Sequence, residues 1–211
     1  MAQQKALLLE KKGSSFVVAN IDVPQPAPGE LVVKVQAVGL NPVDWKVQES
    51  GLFYETWPAV LGSDVAGDVE AVGEGVEGYT KGDRVFFQGF FRNEFAGFQQ
   101  FTRVPAEMVA KIPAKLSYSE AASIPVCLGA AAIGLLSSEG AGINPTFDRS
   151  VQTGKPVLVI GGSSSIGQYA LQLLKFAGFS PIITYASGHQ TKYLKALGAS
   201  NVVDRTRVAV D

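Results

Sequence analysis

The residues of this 211-residue sequence best arranged for chemistry run from Pro156 to Gly167. Pro156-Val-Leu-Val-Ile160 is an unbroken apolar run, the pattern of a strand buried on both faces. Gly161-Gly-Ser-Ser-Ser-Ile-Gly167 follows at once. An apolar stripe at Ile166, Ala170, Leu173 and Ala177, spaced i, i+4, i+7 and i+11, predicts a helix opening there and stopping at Gly178. Strand, glycine turn and helix N-terminus together make an anion cradle. Unpaired N–H groups and a partial positive charge face the turn, and glycine lets the backbone approach a pyrophosphate. Gly162 and Gly167 match the first and last glycines of G-x-G-x-x-G, with Ser164 at the middle one. The residues expected to hold a dinucleotide here are Gly162, Ser163, Ser164, Ser165, Ile166 and Gly167. The competing reading is a βα turn that binds nothing.

A second set follows about twenty residues on. A site that prefers NAD places an acid at the end of the second strand, to bind the ribose 2′-hydroxyl. Pro181-Ile-Ile-Thr-Tyr185 predicts that strand, and Tyr185-Ala186-Ser187 contains no acid. Ser187, His189, Lys192 and Tyr193 come next, donors suited to a 2′-phosphate. A charge-assisted hydrogen bond contributes about 1.5–3 kcal/mol, so one good contact favours NADPH about tenfold to hundredfold. The expected cofactor is NADPH; the plainer reading of His189 and Lys192 is a solvated loop.

These residues need a parallel sheet to position them. Gln190 to Leu197 predicts a second helix stopped by Gly198, and Asn201-Val-Val-Asp204 a third strand. Strand, helix, strand, helix, strand is half of a doubly wound dinucleotide-binding sheet, an α/β arrangement. Upstream the texture differs. Leu31, Val33, Val35 and Ala37 alternate with Lys34 and Gln36, a half-buried strand. Glycines recurring from Gly62 to Gly82 predict short antiparallel strands joined by tight turns. Ser117 or Ser119 is the expected cap of a helix, a small-residue helix is expected over 127–137, and 138–155 reads as a polar loop. Two domains follow, 1–125 and 126–211.

Composition excludes several classes. Lys+Arg (18) nearly balances Asp+Glu (19), a net charge of -1, so no general nucleic-acid binder is expected. The single cysteine, Cys127, excludes an intrachain disulfide and a four-thiolate zinc site. It sits in the small-residue helix and reads as core. No stretch approaches the roughly 20 apolar residues of a membrane helix, and the N-terminal apolar run is too short for a secretory signal. The expected setting is cytoplasmic, without membrane or nucleic-acid partners.

Four segments taken in order resemble the medium-chain dehydrogenase/reductases: Asn41-Pro-Val-Asp44-Trp-Lys46, Pro58-Ala-Val-Leu-Gly62-Ser63-Asp64-Val-Ala-Gly67, Gly82-Asp-Arg-Val85 and Gly161–Gly167. The resemblance covers essentially the whole chain. It implies a GroES-like β domain followed by a Rossmann domain. Zinc members of that superfamily carry Cys near position 41 and His-Glu where this chain has Ser63-Asp64; the only histidine here is His189. No metal site is expected, and the Asn-Pro-x-Asp pattern resembles the zinc-free quinone and enoyl reductases. The activity so implied is hydride transfer from NADPH to an activated double bond or a quinone, the substrate being an enone, enoyl thioester or quinone. The resemblance places Asn41, Asp44 and Lys46 near the nicotinamide, with Lys46 as electrophilic or proton-relay group and Tyr54 as a second donor. Against Lys46 stands a surface pair with Glu49 at i+3. Some enoyl reductases carry a functional Tyr two residues after a Gly; here Phe53 holds that place after Gly51. Ala130 lies where relatives often carry a nicotinamide-contacting Thr. Trp45 reads as packing. A homodimer is the assembly the resemblance implies. The sequence stops at Asp211, past the third strand and before a second βαβαβ half, and so reads as a truncated, partial Rossmann domain. Three alternatives stand beside this reading: a catalytically incomplete pseudoenzyme that binds nucleotide or protein partners, a zinc-free carbonyl reductase, and a chaperonin-10-like structural protein. The last accounts for 20–110 but not for 157–193.

Overall fold

The computed structural model describes residues 2–143 and 148–209. The chain divides into two compact units, Met1–Val126 and Cys127–Asp211.

In chain order the first unit carries β1 (Gln3–Leu9), β2 (Phe16–Asp22), β3 (Glu30–Gly39), α1 (Pro42–Ser50), β4 (Ala59–Val60), β5 (Asp64–Val72), β6 (Arg84–Gln88), β7 (Phe101–Pro105), β8 (Val109–Lys111) and α2 (Tyr118–Ala122). Two antiparallel sheets form, ordered β2-β1-β4 and β7-β3-β5-β6-β8. Leu31, Val33, Val65, Val69, Val85, Phe87, Val104 and Val109 fill the core of the larger one. The alternation expected in β3 holds at Leu31, Val33, Lys34 and Gln36, but Val32 is buried as well. The pairing of β3 with β5 slips between Val32 and Val33 and again between Val35 and Ala37. Each slip is a bulge, which breaks the period of two.

Of the glycines from 62 to 82, Gly62, Gly75, Gly78 and Gly82 are left-handed, as tight turns require, but Gly67 corrects the sequence reading. One nine-residue strand, β5, runs straight through Gly67. A Cβ there would lie 2.2 Å from Lys34 O on β3. This glycine is kept by close strand approach rather than by a turn. Helix α1 starts with Pro42 after the extended Asn41 and ends at Gly51, which is left-handed. It is held by a cluster of Leu9, Val47, Tyr54, Ala59 and Leu61. Ser117, not Ser119, caps α2: its hydroxyl accepts from Glu120 N at 3.2 Å, and the Glu120 carboxylate accepts from Ser117 N at 2.8 Å, a reciprocal capping box.

Helix α3 (Pro125–Leu136) runs across the boundary, and β9 (Val157–Ile160), α4 (Ser165–Phe176), β10 (Ile182–Ala186), α5 (Thr191–Leu197) and β11 (Asn201–Asp204) follow. The three strands form a parallel sheet ordered β11-β10-β9. Leu171, Leu174, Ile182, Ala186, Leu194 and Ala199 make its core. The apolar stripe expected on α4 holds at Ala177, which is buried, but is overturned over the rest of the helix. Gly167, Leu171 and Leu174 are buried, whereas Ile166 is 47% exposed and Ala170 and Leu173 are only half-buried. Helix rotation is set by Gly167. A Cβ there would lie 2.3 Å from Gly161 O, so the glycine must face the turn, and the hydrophobic face follows from it at i+4 and i+7.

Candidate functional site

The turn between β9 and α4 is a backbone cradle. Gly161 is left-handed at φ 82°, and Ser164 N donates to Gly161 O at 2.9 Å. Ser164 stands at the middle-glycine position and works as the N-cap of α4: its Oγ accepts from Gly167 N at 3.1 Å and donates to Gly161 O at 2.8 Å. The N–H groups of Ser163, Ser165 and Ile166 make no hydrogen bond among the described residues. Three open donors at the start of a 12-residue helix form a donor set that suits an anion, with the helix dipole adding partial positive charge. Gly162 serves packing: a Cβ there would lie 2.1 Å from Thr184 Oγ1 on β10.

The donors expected beyond β10 gather at the C-terminal end of the sheet. Ser187 is half-buried, and His189, Lys192 and Tyr193 are exposed. Tyr193 is tied back to the turn. Its hydroxyl donates to Gln168 Oε1 at 2.7 Å, and Gln168 Nε2 donates to Ser163 O at 3.1 Å. The structure also brings in residues that sequence reasoning missed. Parallel pairing sets Ala186 against Asp204. An acid therefore does reach this corner, from the third strand rather than the second. Its carboxylate is engaged from inside: Oδ1 accepts from Gly188 N at 3.1 Å, Thr206 N at 3.0 Å and Thr206 Oγ1 at 2.9 Å. Those bonds, the Thr206 backbone N–H foremost, hold the Asp204 carboxyl below its usual range. Arg205 Nε donates to Ser187 Oγ at 2.9 Å.

In the first unit, two segments far apart in sequence meet. Asn41 Nδ2 donates to Asp64 Oδ2 at 2.9 Å, and Asp64 Oδ1 accepts from Val126 N at 2.7 Å, near the start of α3. Asp44 Oδ2 accepts from Asn41 N at 2.8 Å. Asp44 and Asp64 are both buried, and Ser63 Oγ beside them is buried with no hydrogen-bond partner among the described residues. Burial raises both carboxyls above their ordinary values. The N–H bonds from Asn41 and Gly62 partly offset this at Asp44, and those from Asn41 and Val126 at Asp64. Among the described residues no group of three or more His, Cys, Asp or Glu is placed to hold a metal ion.

The remaining expected catalytic residues are more dispersed. Lys46 and Trp45 point outward on α1, because Asp44 and Val47 define its buried face. Trp45 is 54% exposed, against its expected packing role, and Lys46 Nζ lies 5.8 Å from its ring centroid. Among the described residues Lys46 forms no ion pair, with Glu49 or otherwise. Tyr54 is buried, and its hydroxyl donates to Val60 O at 2.6 Å. Burial, reinforced by the charges of Asp44 and Glu94, pushes this phenol above its ordinary value. Phe53 is left-handed at φ 68° and stacks on Phe91, ring centroids 4.5 Å apart. Ala130 is exposed and Cys127 half-buried. No helix among the described residues is long and apolar enough to cross a membrane.

Compared with known proteins, residues 27–114 match the alcohol dehydrogenase GroES-like domain. A dehydrogenase of Monascus ruber is 39% identical over 213 residues, covering 95% of this chain and 55% of its own. A trans-enoyl reductase of a Penicillium species is 34% identical over 187 residues, covering 85% and 50%. A mycobacterial quinone oxidoreductase superposes with a TM-score of 0.76 at 31% identity, covering 98% and 60%. A mycobacterial protein solved with NADPH gives a TM-score of 0.73 at 30% identity, covering 95% and 58%. The chain thus spans between half and three-fifths of the length of these proteins.

Proposed function

Since the chain belongs to the medium-chain dehydrogenase/reductase superfamily, we propose that it carries the nucleotide-binding and catalytic segments of an NADPH-dependent reductase acting without zinc on an activated C=C bond or a quinone. One observation carries the reading: the cradle at Gly161–Gly167, with three backbone N–H groups open at the head of α4. That donor set fits a pyrophosphate. The relatives named trans-enoyl reductase and quinone oxidoreductase support the reaction class, and the neighbour solved with NADPH supports the cofactor. NADPH when bound supplies the hydride.

The chain's own residues supply the rest. The turn orients the pyrophosphate by backbone donation, at no side-chain entropy cost. Ser187, His189 and Lys192 offer donors to the 2′-phosphate, while the Tyr193 hydroxyl, whose proton goes to Gln168 Oε1, braces the turn instead. Negative charge builds on the substrate carbonyl oxygen as the bond is reduced and needs a donor; Lys46 is the cation on α1 and takes that role in this reading. Asn41 is held by Asp64 and presents its amide at the head of α1, while Asp44 fixes the same turn. Tyr54 has its proton on Val60 O and serves as a wall. The zinc-free assignment rests on donor chemistry: Asn41, Ser63 and Asp64 stand where zinc relatives carry Cys and His-Glu, and both Asp64 oxygens already accept hydrogen bonds.

Titration with NADPH and NADH, followed by nicotinamide fluorescence and thermal stability, tests the reading. NADPH binding tighter than NADH, with consumption in the presence of an enone or quinone, is the expected result. Failure of both nucleotides to bind refutes it, and binding without turnover assigns the chain to a nucleotide-binding module.

A further inference from the structure

We infer that Arg205 is the side chain that separates NADPH from NADH, by presenting its guanidinium to the 2′-phosphate beside Ser187. The inference rests on the NADPH reading above and extends it to a residue on the third strand's exit, outside the glycine turn and the loop after β10. Arg205 is pinned at two points: its backbone N donates to Ala186 O at 3.0 Å, and its Nε donates to Ser187 Oγ at 2.9 Å. These bonds lay the side chain across the end of β10, where the second strand of a dinucleotide fold meets the ribose. The terminal amines Nη1 and Nη2 make no hydrogen bond among the described residues. A guanidinium fixed through Nε keeps its two-pronged edge free, the geometry that matches a phosphate.

The neighbouring acid would ordinarily oppose this. Asp204 at this position could accept from the ribose 2′-hydroxyl and repel a phosphate. It is instead turned inward. Oδ1 is occupied by Gly188 N and by the N–H and hydroxyl of Thr206. Oδ2 packs against Gly188, where an added Cβ would meet it at 2.2 Å, and Arg207 Nε lies 3.8 Å away. Oδ1 is spent on shaping the turn that aims Arg205, and Oδ2 faces Gly188 and Arg207. The corner then presents the cations Arg205 and Lys192, with the exposed imidazole of His189 at its rim.

The test uses only the adenosine half of the cofactor, so no nicotinamide chemistry enters. Adenosine 2′,5′-bisphosphate and adenosine 5′-monophosphate are titrated calorimetrically, at one ionic strength, into the chain and into Arg205→Ala, Arg205→Lys and Arg207→Ala. Arg205→Ala is expected to weaken the bisphosphate about tenfold or more and leave the monophosphate nearly unchanged. Arg205→Lys keeps the charge without the fork and is expected to recover part of the loss. Arg207→Ala is expected to behave as the parent, since Arg207 does not touch Ser187. If the parent prefers the bisphosphate and Arg205→Ala keeps that preference, the inference fails while the NADPH reading stands. Equal losses in Arg205→Ala and Arg207→Ala overturn it in favour of diffuse charge. If the parent shows no preference, both readings fail together. Unchanged thermal stability of Arg205→Ala excludes a folding effect.

Discussion

Gly162→Ala, read against Thr184→Ala, tests why a glycine stands at the head of the cradle. Gly162 is not left-handed, so alanine is conformationally allowed and the whole effect is steric. The new Cβ would lie 2.1 Å from Thr184 Oγ1, 3.1 Å from Thr184 Cβ and 3.3 Å from Leu171 Cδ1. Thr184 is fully buried and its hydroxyl donates to Val159 O at 2.9 Å, so it cannot swing aside without breaking that bond. Overpacking costs about 1–3 kcal/mol and the lost bond about 1 kcal/mol, so Gly162→Ala should destabilise by about 2–4 kcal/mol. Thr184→Ala alone should cost about 1–2 kcal/mol, for the bond and a buried methyl. In the double variant the Oγ1 collision is gone, and the combined loss should fall short of the sum by about 1 kcal/mol or more. Recovery stays incomplete, because the contacts to residue 184 Cβ and Leu171 persist. Native-state hydrogen exchange of the α4 and β10 amides reads the second unit by itself. Both tryptophans, Trp45 and Trp57, lie in the first unit, so their fluorescence controls for changes there. Additive losses, within about 0.5 kcal/mol, would show that Gly162 is not kept by Thr184.

Two further outcomes concern the first unit. Tyr54→Phe removes the donor to Val60 O and should destabilise by about 1–2 kcal/mol, while turnover of a reductase-competent form stays within about threefold; a hundredfold loss of turnover would return Tyr54 to the chemistry. Asp44 and Asp64 have folded pKa values raised by burial. Their folded forms hold the proton more tightly than the unfolded chain, whose aspartates titrate near about 3.9. The stability they contribute is full below that pH and is lost as pH rises through the raised folded values. Asp64→Asn should flatten that part of the stability–pH curve, measured by tryptophan-detected unfolding; an unchanged slope counts against burial as the cause.

Much of the second unit was legible in the sequence because its signals are local. A continuous apolar run, a glycine turn and a helical period lie within about 20 residues of each other, and β9, α4, β10, α5 and β11 appear within a residue or so of the expected places. Strand β9 is nonetheless not buried on both faces as its apolar run implied, since Leu158 and Ile160 are exposed. The rotation of α4 was not legible. Counting apolar residues selected Ile166 and Leu173, but the close approach of Gly167 to Gly161 O turns Leu171 and Leu174 inward. Backbone contact distance outranks side-chain hydrophobicity there, and no composition rule carries it.

The deeper limit is pairing. Sequence showed that Cys and His are absent from the Asn41 and Ser63-Asp64 segments, which already determined the donor chemistry available. Only the tertiary structure showed that Asn41 and Asp64, 23 residues apart, bond to each other. Likewise the sequence determined that no acid follows β10 directly. The parallel register of β10 with β11 decided that Asp204 and Arg205 arrive at that corner, one turned into the backbone and the other resting on Ser187. Local propensity is written in neighbouring residues. Which strand ends lie side by side depends on how the whole sheet closes its core.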